Sequence, residues 1–103
     1  MPLNELRNLL ESTGLPVTYR AWPEGKAPPL PFICYLCTGS SNLYADASVY
    51  VHVAEVDVEL YTRAKEPEIE AKVEAALHGF HWNKTETYID SERCYQILYE
   101  IEV

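Results

Sequence analysis

The sequence predicts an α+β domain: an antiparallel sheet of four to five strands with two helices packed on one face, in the order α-β-β-β-α-β-β. Two segments repeat apolar residues at helical spacing: Leu3, Leu6, Leu9 and Leu10, then Ile69, Val73, Ala76, Leu77 and Phe80. Two others, residues 54–60 and 94–103, alternate apolar and polar side chains with the period of two that a strand imposes. Short turn-forming clusters between neighbouring β segments favour antiparallel pairing. At 103 residues, 48% hydrophobic and 23% charged, residues 1–103 read as a single folded domain.

The first helix is placed at residues 3–13, with Gly14 as its C-terminal cap and Pro16 forbidding continuation. Val17 to Trp22 forms a short strand. Residues 23–31, PEGKAPPLP, hold four of the seven prolines and read as an exposed loop, since proline gives a sheet ladder no donor. Residues 32–38, FICYLCT, are apolar enough for a central strand, and GSSNLYADA after them has turn chemistry.

The pivot of the chain is 49–63, VYVHVAEVDVELYTR. From Ala54 onward Ala54, Val56, Val58 and Leu60 face one way and Glu55, Asp57 and Glu59 the other. Before it the apolar parity is odd, at Val49, Val51 and Val53. Such a phase change demands a bulge or bend, or a strand that runs past its sheet with both faces covered. In an assembling protein that overhang would pack on a neighbour. Pro67, with Glu66, Glu68 and Glu70 around it, opens the second helix, which Gly79 ends. Lys84 to Ile89 and Cys94 to Val103 are the last strands, with Asp90, Ser91 and Glu92 as the turn between them.

Charge narrows the function. The net charge is −8 and no basic cluster occurs, so direct nucleic-acid binding is not expected. No apolar run approaches the roughly 20 residues of a spanning helix, and MPLNELRNLLES lacks the pattern of a signal peptide. An odd count of three cysteines points to free, buried thiols in a reducing compartment, with cytoplasm the default location. Cys34 and Cys37 are spaced as C-x-x-C. On a strand, however, positions three apart face opposite ways, which fits small core residues better than a redox or zinc pair. His78 and His81 form an H-x-x-H at the end of the second helix and His52 lies on the pivot strand, but no third ligand has recognisable spacing. No nucleophile elbow, Cys/His signature or glycine-rich phosphate loop is present, so no enzyme activity, metal or cofactor is expected.

Residues 31–99 resemble a family of small proteins encoded by phages and prophages of Gram-positive bacteria, in the module between head and tail genes. The resemblance lies in FICYLCTGSSNLYADASVYV, VDVELYTRAKEPEIEAKVEAAL and KTETYIDSERCYQILYEIEV. Its core is Ala45-Asp46, Val49-Tyr50, Glu59-Leu60-Tyr61-Thr62, Lys65-Glu66-Pro67, Glu70, Val73-Glu74, Leu77, Glu86, Ile89 and Glu92. Such proteins are similar to tail-completion, or tail-terminator, proteins of long-tailed phages. The resemblance implies an antiparallel sheet with helices against it. It also implies a non-enzymatic ring, commonly a hexamer, that joins tail to head, with tail-tube or head–tail connector proteins as partners. Location would be the host cytoplasm during assembly and the virion afterwards, with no membrane role.

The resemblance brings no catalytic residues. Contacts are placed by inference on the loop with Pro28 and Pro29, on the 39–46 turn with Tyr44 and Asp46, and on the acidic row Glu55, Asp57 and Glu59. Trp22, Tyr50 and Trp82 are candidate aromatic anchors, although cores use aromatics as well. The alternative reading is a small acidic protein-binding module, of prophage or host, with no ring assembly.

Overall fold

A computed structural model describes residues 1–45 and 47–103, with the side chains of all of these except 43–45 and 49–51. In chain order the elements are α1 (Leu3–Glu11), β1 (Val17–Tyr19), β2 (Phe32–Ser40), β3 (Leu43–Ala45), β4 (Ser48–Val51), β5 (Ala54–Thr62), α2 (Pro67–Ala76), β6 (Asn83–Ile89) and β7 (Cys94–Glu102). Five strands form the main sheet in the order β1-β2-β5-β7-β6, while β3 and β4 pair only with each other. With α1 and α2 these five strands give the expected α+β order.

Periodicity decides what is buried. Val56, Val58 and Leu60 of β5 and Ile97, Tyr99 and Ile101 of β7 share one face of the sheet, where Leu6, Leu10, Val73 and Leu77 of the helices cover them. Each helix contributes its apolar stripe, and Trp82 packs edge-on against Tyr99 with ring centres 5.5 Å apart. Among the described residues Glu70 is the one charged side chain in this interior, only 2% exposed. Lys65 and Lys84 reach its two oxygens at 2.7 and 2.6 Å. Lys84 also meets Glu74 at 2.7 Å, Lys65 meets Glu86 at 2.6 Å, and the Tyr99 hydroxyl donates to Glu74 at 2.8 Å. This chain of charges fastens α2 to β6 and β7. Burial alone would raise the Glu70 pKa, but the hydrogen bonds and charges of Lys65 and Lys84 outweigh it and hold the carboxyl below its ordinary value.

Four expectations are corrected. The sheet is mixed, because β1 runs parallel to β2; the connection 20–31, about a dozen residues, is long enough to return the chain to the same end. The pivot segment is two strands, not one, broken at His52 and Val53. The stretch 39–45 is mostly strand, not turn. The elements end earlier than expected, α2 at Ala76 rather than Gly79 and β1 at Tyr19 rather than Trp22, because helix ends tighten into turns and β1 leaves its partner at Tyr35.

Candidate functional site

The break at His52 and Val53 explains the parity switch. Strands β2 and β5 do not end where the sheet ends but run on as a two-stranded ribbon. Ala54 and Val103 exchange backbone hydrogen bonds of 3.0 and 2.8 Å at the last rung shared with β7. Beyond it Ser41 donates to the Val53 carbonyl at 2.8 Å, and the Asn42 side-chain oxygen accepts from the Val53 amide at 3.2 Å. Leu43 then faces Val51, and Ala45 faces Ser48, closing the hairpin, with Ala47 at φ 64°. Two register shifts lie along the hairpin: Thr38 is the extra residue in β2 and Tyr50 the extra residue in β4. Each bulge raises the local twist and re-aims the strand.

The molecule is elongated. Its extents are 49 × 28 × 24 Å and its radius of gyration is 14.8 Å, against about 13 Å for a compact chain of this length.

The second free surface is the sheet face opposite the helices. Glu55 pairs with Glu102 and Asp57 with Glu100 across β5 and β7, and Glu59 follows two residues on. Like charges directly opposite are destabilising, and none of these five acids has an ion-pair partner among the described residues. Burial first, then the neighbouring Glu100, raises the Asp57 pKa. Burial also raises that of Glu59, opposed by the Tyr61 hydroxyl that donates to it at 3.0 Å and aided by Asp57. Asp57 and Glu59 are half-buried rather than fully solvent-facing, because Leu36, Cys34 and Leu98 flank them in register.

At the other end of this face the acids give way to aromatics. Trp22 stands edge-on to Phe32 at 5.7 Å, and Phe32 leans on Tyr61 at 5.4 Å. Gln96 donates to the Tyr61 hydroxyl at 3.0 Å. Burial chiefly pushes the Tyr61 pKa up to about 12.

The chain matches no protein-family model and no curated protein.

Cys34 is buried opposite Glu59, and that burial, then that charge, push its thiol to about 11, so it stays protonated. Cys94 is buried as well, whereas Cys37 is exposed, contrary to the expectation of three buried thiols, because it sits where β2 leaves the cover of the helices. His52, His78 and His81 are all exposed. No group of three His, Cys, Asp or Glu among the described residues is arranged to hold a metal ion. No helix among them is long and apolar enough to cross a membrane. A recess of about 560 Å³ lies where β6 begins, lined by Thr38, Glu55, Asp57, His81, Glu100 and Glu102.

The anticipated contact residues are thus spread over separate places. Glu55, Asp57 and Glu59 share the open face, and Trp22 borders it. Trp82 is half-buried against the core, and Pro28 and Pro29 sit on the loop before β2, half-buried and exposed respectively. The Tyr44 and Tyr50 side chains and Asp46 lie outside the described residues, although Tyr44 and Tyr50 belong to the ribbon strands. Glu100, Glu102, Phe32 and Tyr61 were not anticipated. The alternation of β7 contained the signal for both glutamates, but only the register places them opposite β5.

Proposed function

We propose that the protein is a structural subunit of a phage or prophage head–tail module, a tail-completion or head–tail joining protein that acts by assembling into a ring and performs no catalysis. The observation that carries this is the ribbon beyond Ala54. Two-stranded hairpins are marginal in water on their own, and β3 and β4 pair with no further strand among the described residues, so such a ribbon calls for a neighbour. The resemblance of residues 31–99 to phage module proteins supports the same role, with tail-tube or connector proteins as further partners and the virion as destination. Subunits joined head to tail close into a ring when the rotation between them permits it. The test is mass by light scattering behind a sizing column, over a wide concentration range. A discrete oligomer of several 11.8 kDa subunits is the expected species, and a monomer throughout counts against ring formation by the isolated chain.

The opposed pairs Glu55–Glu102 and Asp57–Glu100 favour a second reading, a module that captures a basic protein through its acidic face. Steering of that kind gives an association rate that falls with salt, whereas a contact made through a ribbon with a single acid, Asp46, is far less salt-sensitive.

A further inference from the structure

The free edge of β6 offers a place for the ribbon to go. Ala54 and Val103 exchange both backbone hydrogen bonds, so alternation along the antiparallel ladder turns the backbone groups of Tyr95, Ile97, Tyr99 and Ile101 toward β5. Those of Cys94, Gln96, Leu98 and Glu100 then face β6, where they meet Ile89, Thr87, Thr85 and Asn83. The backbone N–H and C=O groups of Lys84, Glu86 and Tyr88 consequently point away from the sheet, and β6 is its last strand.

Edge strands are normally guarded by charge, proline, a bulge or shortness. β6 has seven residues, no proline and an unbroken register with β7. Its charged side chains, Lys84 and Glu86, are held in ion pairs by Glu70, Glu74 and Lys65, which leaves them poorly placed to repel an incoming strand. The opposite side of the strand shows Asn83, Thr85, Thr87 and Ile89, which are uncharged.

We propose that the ribbon of one copy adds as a strand to the outer edge of β6 in the next copy, so that neighbouring subunits share a continuous sheet. This rests on the ring reading above and names its two contact surfaces. Charge favours this occupant. In a chain of net charge −8, residues 36–53 contain one acid, Asp46, and no Lys or Arg, so a second copy meets little repulsion when it approaches through that stretch. Length agrees, since β3 (three residues) spans about 10 Å and β4 (four residues) about 14 Å, which fit within the roughly 24 Å of β6 at the strand rise. The ribbon's own β6 is not the target: β5 and β7 stand between β2 and β6, and the ribbon continues past the Ala54–Val103 rung. Donor and acceptor are different surfaces, so the contact is heterologous and propagates from copy to copy until it closes.

Complementation between two variants tests this. The acceptor-only chain has residues 42–52 replaced by Asn-Gly, which joins Ser41 to Val53 across their existing hydrogen bond through a favoured two-residue turn. The donor-only chain carries Glu86→Pro, which deletes an outward N–H while leaving the bonds to β7 in place. Glu86→Ala keeps the N–H and controls for the lost ion pair, and Tyr88→Pro stands in should Glu86→Pro fail to fold. At concentrations where the full chain assembles, each defective variant should sediment as a monomer, their equimolar mixture as a heterodimer, and Glu86→Ala as the full chain does. Assembly by the ribbonless chain alone, an inert mixture beside an assembling full chain, or a defect in Glu86→Ala equal to that in Glu86→Pro overturns strand addition and leaves the ring reading standing. A full chain that never assembles, with an inert mixture, overturns both.

Discussion

The hairpin that begins at β2 and returns as β5 is built twice over in one half and barely at all in the other. Between Phe32 and Cys37, and again from Val56 to Tyr61, each strand has another strand beside it and helices against one face. Beyond Ser40 and Ala54 the same two strands, continued as β3 and β4, pair with each other and with no further strand among the described residues. The composition changes at the same place. The body half alternates Val56, Val58 and Leu60 with Glu55, Asp57 and Glu59, whereas 41–53 carries valines, tyrosines and a single acid. A strand pattern that matches its own core is a folding signal, and here that alternation stops where the five-stranded sheet stops.

The largest expected effect lies in the body. Val58→Asp buries an unpaired carboxylate in the core, at a cost of more than about 4 kcal/mol, much of a small domain's total stability. Circular dichroism should show an unfolded chain. A native spectrum and melting point would mean that Val58 does not face the interior.

Glu70→Gln comes next, at about 2 kcal/mol, for it leaves Lys65 and Lys84 without the buried anion that joins them; the figure is kept low because both amines are partly exposed. The Glu70 pKa is lowered on folding, so its contribution is present above the ordinary value of 4.5 and is lost as the pH falls through the folded value below it. Chemical denaturation of both chains across that range should find the wild-type advantage at neutral pH and its disappearance in acid. An advantage that grows on acidification would contradict the network.

On the open face the sign reverses. Asp57→Asn should stabilise by about 0.5 kcal/mol at pH 7, because it removes one of two opposed carboxylates. The Asp57 pKa is raised on folding, so the charge penalty is relieved as the pH drops through that raised value. The gain should therefore fade in mild acid, and a gain indifferent to pH would point to packing instead. Smallest of all, excision of residues 42–52 should change the stability of the dilute chain by no more than about 0.5 kcal/mol, since it merely shortens a connection. A clear loss in its thermal melt would show that the ribbon belongs to the fold.

Much of the body was legible from periodicity: the helix stripes through Leu6 and Leu10 and through Val73 and Leu77, and the inward rows of β5 and β7. The ribbon was half legible. Its parity switch at Val53–Ala54 demanded a bulge, a bend or an overhang without choosing between them, but Gly39, Ser40, Ser41 and Asn42 look like a turn, and only pairing with the returning strand makes that stretch extended. The direction of β1 was hidden, because three residues carry almost no pattern and a proline-rich loop does not say to which end it returns. Glu70 shares a helix face with Val73 and Leu77, yet one of the two lysines that neutralise it, Lys84, comes from a later strand. The acidic row was visible on β5 alone; its opposed partners on β7 depend on register, which alternation leaves open by steps of two.

The most direct test of the contrast between body and ribbon is amide hydrogen exchange, followed residue by residue in dilute and in concentrated protein. The body amides of β5 and β7 should exchange slowly at both concentrations. If another copy supplies their cover, as proposed, those of β3 and β4 should exchange quickly when dilute and become protected as concentration rises. Ribbon amides as protected in dilute solution as those of β5 would contradict this, and so would ribbon amides that stay unprotected at every concentration.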